Sequence, residues 1–171
     1  MKIVSQLAVG LLGLVMALGS VGCESKPSMG EFNVTVTLAD GFNPARDIEV
    51  DLVGVAEGRD LNAMEEVTVS NYFKAMNEFR ASQKYRIPLV FRKDGPRSQT
   101  VDLTRRGPYY ATWKNANVMH MVALARLDEP TGPDRRRAVL PLDKRRWKTK
   151  NLTVVIDKAE VSPVPAPEVS Q

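Results

Sequence analysis

Phe32-Asn33-Val34-Thr35-Val36-Thr37-Leu38 alternates apolar and polar residues without a break, the period-two signature of a strand with one buried face. Asp40-Gly41-Phe42-Asn43-Pro44 stops it. Asp and Asn hydrogen-bond to nearby backbone, Gly accepts positive φ, and Pro has no donor for a ladder. A surface loop is therefore expected over residues 39–47. Ile48, Val50 and Leu52 resume the alternation, but Val53 and Val55 are apolar on the opposite face. This second strand is expected to end by leaving the sheet edge.

Between residues 60 and 82 the apolar period lengthens to about 3.6 residues, which marks a small helical insertion. Asn62 and Ser70 are its candidate caps, and Tyr72, Phe73, Met76 and Phe79 its apolar face. Residues 84–91 return to strand composition, with Pro88 demoting them to an edge or irregular strand. Residues 99–103 and 109–113 read as short strands around Gly107-Pro108. Residues 118–127 are apolar on both faces, as in a central strand. Residues 137–142 and the alternating Leu152, Val154 and Ile156 complete the set. Seven or eight short strands separated by turns specify an all-β class, an immunoglobulin-like sandwich over residues 32–160. Residues 161–171, with prolines at 163, 165 and 167, are expected to form a disordered tail.

Ahead of the sandwich, Lys2 and the apolar run over residues 7–18 have the form of a signal peptide, too short for a stable membrane span. It ends at Ser20-Val21-Gly22-Cys23, on the only cysteine of the chain. These four residues resemble the bacterial lipobox, whose cysteine is diacylglycerated, becomes the mature N-terminus and is then N-acylated; a plain secretory signal is the alternative. Residues 1–22 are thus expected to be removed, with residues 23–31 a lipidated tether. Three acyl chains exceed the two signals that stable anchoring requires. By resemblance to enterobacterial lipoproteins, Glu24 in place of Asp permits export to the outer membrane.

Loss of residues 1–22 removes Lys2 alone among the charged residues and lowers the net charge from +4 to +3. With Cys23 acylated, no thiol remains for a disulfide, a nucleophile or a metal. His120 is the only histidine and lies mid-strand, so no His-rich metal site is expected. Glu65 and Glu66 are adjacent, and on a helix they diverge by about 100° instead of facing one bond. There is no phosphate-binding glycine loop and no G-x-S-x-G elbow. Neither an enzyme nor a cofactor is expected, and an exported chain meets no nucleic acid.

The basic clusters Arg105-Arg106, Arg135-Arg136-Arg137 and Lys144-Arg145-Arg146-Trp147-Lys148 read as solvated loops that protect sheet edges. Arg145, Arg146 and Trp147 are also a candidate secondary binding face, because an exposed Trp among cations anchors interfaces or stacks on sugars. That alternative is a cell-envelope lipoprotein binding peptidoglycan, polysaccharide or another envelope protein.

The order of elements resembles the outer-membrane lipoprotein of type VI secretion systems, the TssJ/VasD type. The likeness rests on Cys23, the strand Phe32–Leu38, Asn43-Pro44, the Val-rich strand Ile48–Val55 and the Phe-rich insertion over residues 72–79. The apolar strand over residues 118–126, ending in an Ala-x-x-Arg-like stretch, and the strand Arg137-Ala138-Val139-Leu140-Pro141 extend it. Where that family has Trp before this Arg, the chain has Arg136. The resemblance implies a transthyretin-like sandwich without enzyme activity. It also implies a role in holding the periplasmic domain of an inner-membrane TssM-type subunit at the outer membrane. By position, the contact loop would be Asp40, Gly41, Phe42, Asn43, Pro44 and Arg46.

Overall fold

The computed structural model describes residues 27–56 and 58–165. Residues 1–26, including Cys23, and residues 166–171 of the expected tail lie outside the described residues.

Two four-stranded sheets face each other. The first has the order β4 (Ser98–Leu103), β1 (Phe32–Leu38), β7 (Asn151–Ile156), β8 (Val161–Val164). The second has the order β3 (Arg86–Phe91), β2 (Ile48–Val55), β5 (His120–Ala125), β6 (Arg137–Pro141). β1 delivers Phe32, Val34, Val36 and Leu38 into the core on every second residue. It pairs antiparallel with β4 and parallel with β7, Asn33 opposite Asn151 and Leu38 opposite Ile156. Pro88 lies on β3, an edge strand, as its missing donor requires.

β2 does not leave the sheet. It lies between β3 and β5 and is buried on both sides, because the helical insertion covers the outer face. That insertion comprises α1 (Gly58–Glu66), α2 (Val69–Tyr72) and α3 (Glu78–Ser82). Val53 and Val55 from β2, Val122 and Leu124 from β5, and Met64, Val69, Tyr72 and Phe73 from the insertion form a second core. Each such buried apolar side chain contributes about 1.5–3 kcal/mol. The cap of α2 is Thr68, whose hydroxyl accepts from the Asn71 amide at 3.2 Å. Ser70 instead donates to Glu129 at 2.6 Å. Met76 is fully exposed at φ 58° and does not belong to the apolar face.

Residues 109–113 are not a strand. α4 (Tyr110–Asn115) places Tyr110 and Trp113, three residues apart, on one buried face. Trp113 lies so close to β2 that a Cβ at Gly54 would stand 2.9 Å from its ring. Residues 161–164 are β8 and not a tail: Val161 is buried and pairs with Ile156. Pro163 is tolerated there because β8 is an edge strand. At the other end, the domain begins before β1. Met29 is buried and Gly30 donates to the Leu142 carbonyl at 2.7 Å.

Candidate functional site

The β1–β2 loop sits at the end of the sandwich opposite the start of β1. Its first turn closes through the Phe42 amide, which donates to the Ala39 carbonyl at 3.0 Å, with Gly41 at φ 77°, a conformation that favours glycine. Arg97, just ahead of β4, holds the turn from the neighbouring strand. Its Nη2 donates to the Ala39 carbonyl at 2.6 Å and its Nη1 to the Phe42 carbonyl at 3.1 Å. At the far end of the loop the Asp47 carboxylate accepts from the Lys93 amide at 3.0 Å.

This framework sorts the loop side chains by face. Phe42 and Pro44 are buried, and Phe42 is 8% exposed within the main core. Phe42 is therefore a packing residue and not a projecting anchor. Asp40, Gly41, Asn43 and Arg46 are exposed, and Arg46 pairs with Asp128 at 2.8 Å on the surface. Between the loop and Leu127, Asp128 and Lys158 lies a groove of about 410 Å³, floored by Phe42, Pro44 and Ile48. Its apolar floor and charged rim suit a protein contact.

The secondary face around Trp147 does not form as the sequence suggests. Trp147 is 8% exposed, its indole Nε1 donates to the Pro141 carbonyl at 2.6 Å, and its ring meets Phe32 edge-on at 6.4 Å. It belongs to the core, leaving no exposed ring for a sugar or a partner. Arg145 chelates Asp143, with Nη2 to Oδ2 at 2.7 Å. These hydrogen bonds hold the Asp143 carboxyl below the usual carboxylate range against the opposing effect of burial. Arg146 lies on the same short 3-10 turn.

Two arginines of the Arg135–Arg137 run are likewise structural. Arg136 is 4% exposed and reaches Asp134 at 2.8 Å, the Leu127 carbonyl at 3.2 Å and Ser70 at 3.0 Å. Arg137 caps the C-terminus of α1, donating to the carbonyls of Met64, Val67 and Glu65. The spacing of charges in sequence carried no signal for either role.

The second core contains one buried carboxylate, Asp51, with no exposed surface. It accepts from Arg80 Nε at 2.8 Å, Tyr72 Oη at 3.0 Å and Arg86 Nη1 at 3.3 Å. Burial and then the adjacent Asp51 charge push the Tyr72 phenol well above its ordinary value. Burial raises the neighbouring Glu49 carboxyl, but hydrogen bonds from Arg126 and Arg80 outweigh it and hold Glu49 low. Every buried polar side-chain atom here is paired; Arg80, Arg86 and Arg126 line a groove of about 330 Å³, but the Asp51 carboxylate at the centre of the cluster has no exposed surface. The cluster ties the insertion to the sheet. Among the described residues no group of three or more His, Cys, Asp or Glu side chains is placed to hold a metal, and no helix is long and apolar enough to cross a membrane.

No family model and no curated protein matches this chain. Solved structures do. The T6SS lipoprotein TssJ1 from Pseudomonas aeruginosa is 11% identical, covering 85% of this chain and 100% of its own, with a TM-score of 0.51. A chain of a type VI membrane complex is 15% identical, covering 81% of this chain and all of its own, at 0.56. A chain from the structure of the T6SS protein TssM C-terminal domain from EAEC is 13% identical, covering 78% and 99%, at 0.52. The architecture is the TssJ-type β-sandwich. The likeness spans 78–85% of this chain and resides in the fold, not in shared sequence.

Proposed function

We propose that this chain is a divergent type VI secretion lipoprotein of the TssJ/VasD type, a non-enzymatic assembly subunit. Acylated Cys23 anchors it to the outer membrane, and the exposed side of the β1–β2 loop holds the periplasmic domain of a TssM-type inner-membrane subunit. The observation that carries this reading is the full-length match of the described sandwich to TssJ1. It joins independently to a lipobox-like Cys23 and to an Asn43-Pro44 loop in the position the sequence resemblance implies. The likeness to a chain of a type VI membrane complex supports the assembly role.

The geometry suits a tether. The chain reaches the sandwich at Met29, beside the start of β1, whereas the loop leaves from the end of β1 at Leu38. A strand of this length separates the two ends by about 20 Å. An anchored domain then presents its loop away from its own membrane. The polysaccharide-binding alternative loses its principal residue with the burial of Trp147.

Fractionation with affinity capture tests the reading. The tagged wild-type protein is expected to require detergent for release and to co-purify with the TssM-type subunit. Cys23→Ala is expected to leave the detergent-requiring fraction or to remain unprocessed. A Cys23→Ala protein that is processed and still fractionates like its parent would overturn the anchor.

A further inference from the structure

We propose that the basic cleft at the tethered end of the sandwich binds the anionic phosphate headgroups of the membrane that holds the chain. The proposal rests on the lipid-anchor reading above. The first described residues, Pro27 and Ser28, are exposed, and Met29 then packs into the core. Around that point lies a cleft of about 740 Å³ that includes Arg105, Lys114, Lys144, Lys148 and Lys150, with Glu31 as the carboxylate in its wall. The cations come from four separate stretches of chain: the β4–α4 connection, α4, the 3-10 turn over Lys144–Arg146, and the approach to β7.

Folding therefore assembles this positive patch from residues up to 45 positions apart in sequence, Arg105 to Lys150. Two of the cations in its wall are paired with carboxylates. Arg105 pairs with Glu31 at 2.9 Å. Arg145, also in the wall, pairs with Asp143. Lys114 lies over the Tyr110 ring at 5.5 Å. Lys114, Lys144 and Lys150 are exposed.

The tether supplies the occupant. Five peptide steps separate Cys23 from Ser28, a reach of at most about 18 Å. An acylated Cys23 thus holds the mouth of the cleft close to the bilayer surface, where a negative surface potential acts over about a Debye length. A cationic concavity at that distance meets lipid phosphates before any other anion of comparable local concentration. The contact would orient the sandwich, cleft toward the lipid and β1–β2 loop away from it, which a tether alone does not do.

The test uses the full lipidated protein, reconstituted into vesicles of phosphatidylcholine alone or of phosphatidylcholine with phosphatidylglycerol. Amine-reactive acetylation is followed lysine by lysine by mass spectrometry. Lys114, Lys144 and Lys150 are expected to react about five-fold more slowly on the anionic vesicles, with the difference abolished by high salt. Lys93 and Lys158, beside the loop at the other end, are expected to react equally on both. Equal rates at all three cleft lysines, on protein whose intact mass shows the acyl chains, would overturn the cleft and leave the anchor standing. An intact mass without acyl chains would overturn the anchor and with it the orientation argued here. Protection reproduced on phosphatidylcholine by inorganic phosphate would reassign the cleft to a soluble anion and overturn the membrane contact.

Discussion

Arg97 donates from Nη2 to the carbonyl of Ala39 at 2.6 Å, and the same guanidinium reaches the Phe42 carbonyl at 3.1 Å. A charged donor bridging two carbonyls of one turn fixes the loop in a single conformation, since such bonds are about twice as strong as neutral ones. The consequence is a preorganised surface. Asp40, Asn43 and Arg46 are displayed outward while Phe42 and Pro44 hold the loop to the core. A partner docking there would not have to order the loop first.

Phe42→Ala is expected to lower stability by about 3 kcal/mol, the lower end of the range for buried aromatic truncation. Thermal melting followed by circular dichroism reads the effect. Asn43→Ala, exposed on the same loop, is expected to stay within about 0.5 kcal/mol of the parent. A Phe42→Ala protein that melts like its parent would contradict the packing described for the loop.

Trp147→Ala is expected to act on the core. It removes the edge contact with Phe32 and leaves the Pro141 carbonyl without its indole donor. The cost is expected at about 3–5 kcal/mol, measured by urea unfolding. Unchanged stability coupled to loss of saccharide binding would restore the polysaccharide reading.

Asp51 connects β2 to the insertion through Arg80, Tyr72 and Arg86. Asp51→Ala leaves those donors buried or half-buried without an acceptor and is expected to cost about 3–5 kcal/mol. Tyr72→Phe deletes one bond to a charged acceptor and is expected to cost about 1–3 kcal/mol. Hydrogen exchange should then show α2 and α3 losing protection before the sheets do, because the network is what fastens them. Simultaneous loss of protection everywhere would place the network in the main core's cooperative unit.

Acid should weaken the fold in two stages. Burial lowers the His120 pKa from its ordinary 6.5, with Glu65 opposing and Arg146 adding to the effect. The unfolded chain therefore takes up this proton first, and stability falls as pH drops below about 6.5. Hydrogen bonds from Arg136 and Arg145 lower Asp134 and Asp143 below the ordinary 3.8. Their contribution is complete above 3.8 and is lost as pH falls through the depressed folded values. Melting temperature measured across this range should show both stages, and His120→Gln should remove the upper one alone. An upper stage that persists in His120→Gln would assign it to another group.

Local pattern announced much of this fold. The alternation of β1, the two-faced apolarity of β5 and the edge position of Pro88 all appear in the structure. Long-range pairing did not announce itself: β1 joins β7 across 118 positions, Asn33 to Asn151, and no residue pattern encodes that parallel neighbour. Tyr110 and Trp113 have strand-favouring side chains in a window too short to display a helical period, so α4 reads as a strand. Prolines disguised β8, because an edge strand accommodates what a tail would also contain. The loop was located by its turn residues, but which side chains faced outward depended on Arg97, more than fifty positions away in sequence. Trp147 looked exposed because its sequence neighbours are cations, whereas its spatial neighbours include Phe32 and Pro141.

Under the proposed function, the outward side of the β1–β2 loop holds the TssM-type partner. Titrating that subunit's purified periplasmic domain onto this chain, wild type against the triple variant Asp40→Ser, Asn43→Ser, Arg46→Ser, measures it directly. Phe42 and Pro44 are retained, so the melting temperature should match the parent. Saturable binding to the wild type with at least about a ten-fold weaker Kd for the variant, a loss of about 1.4 kcal/mol, is the predicted result. No binding to the wild type, or parental affinity in the variant, would contradict the account.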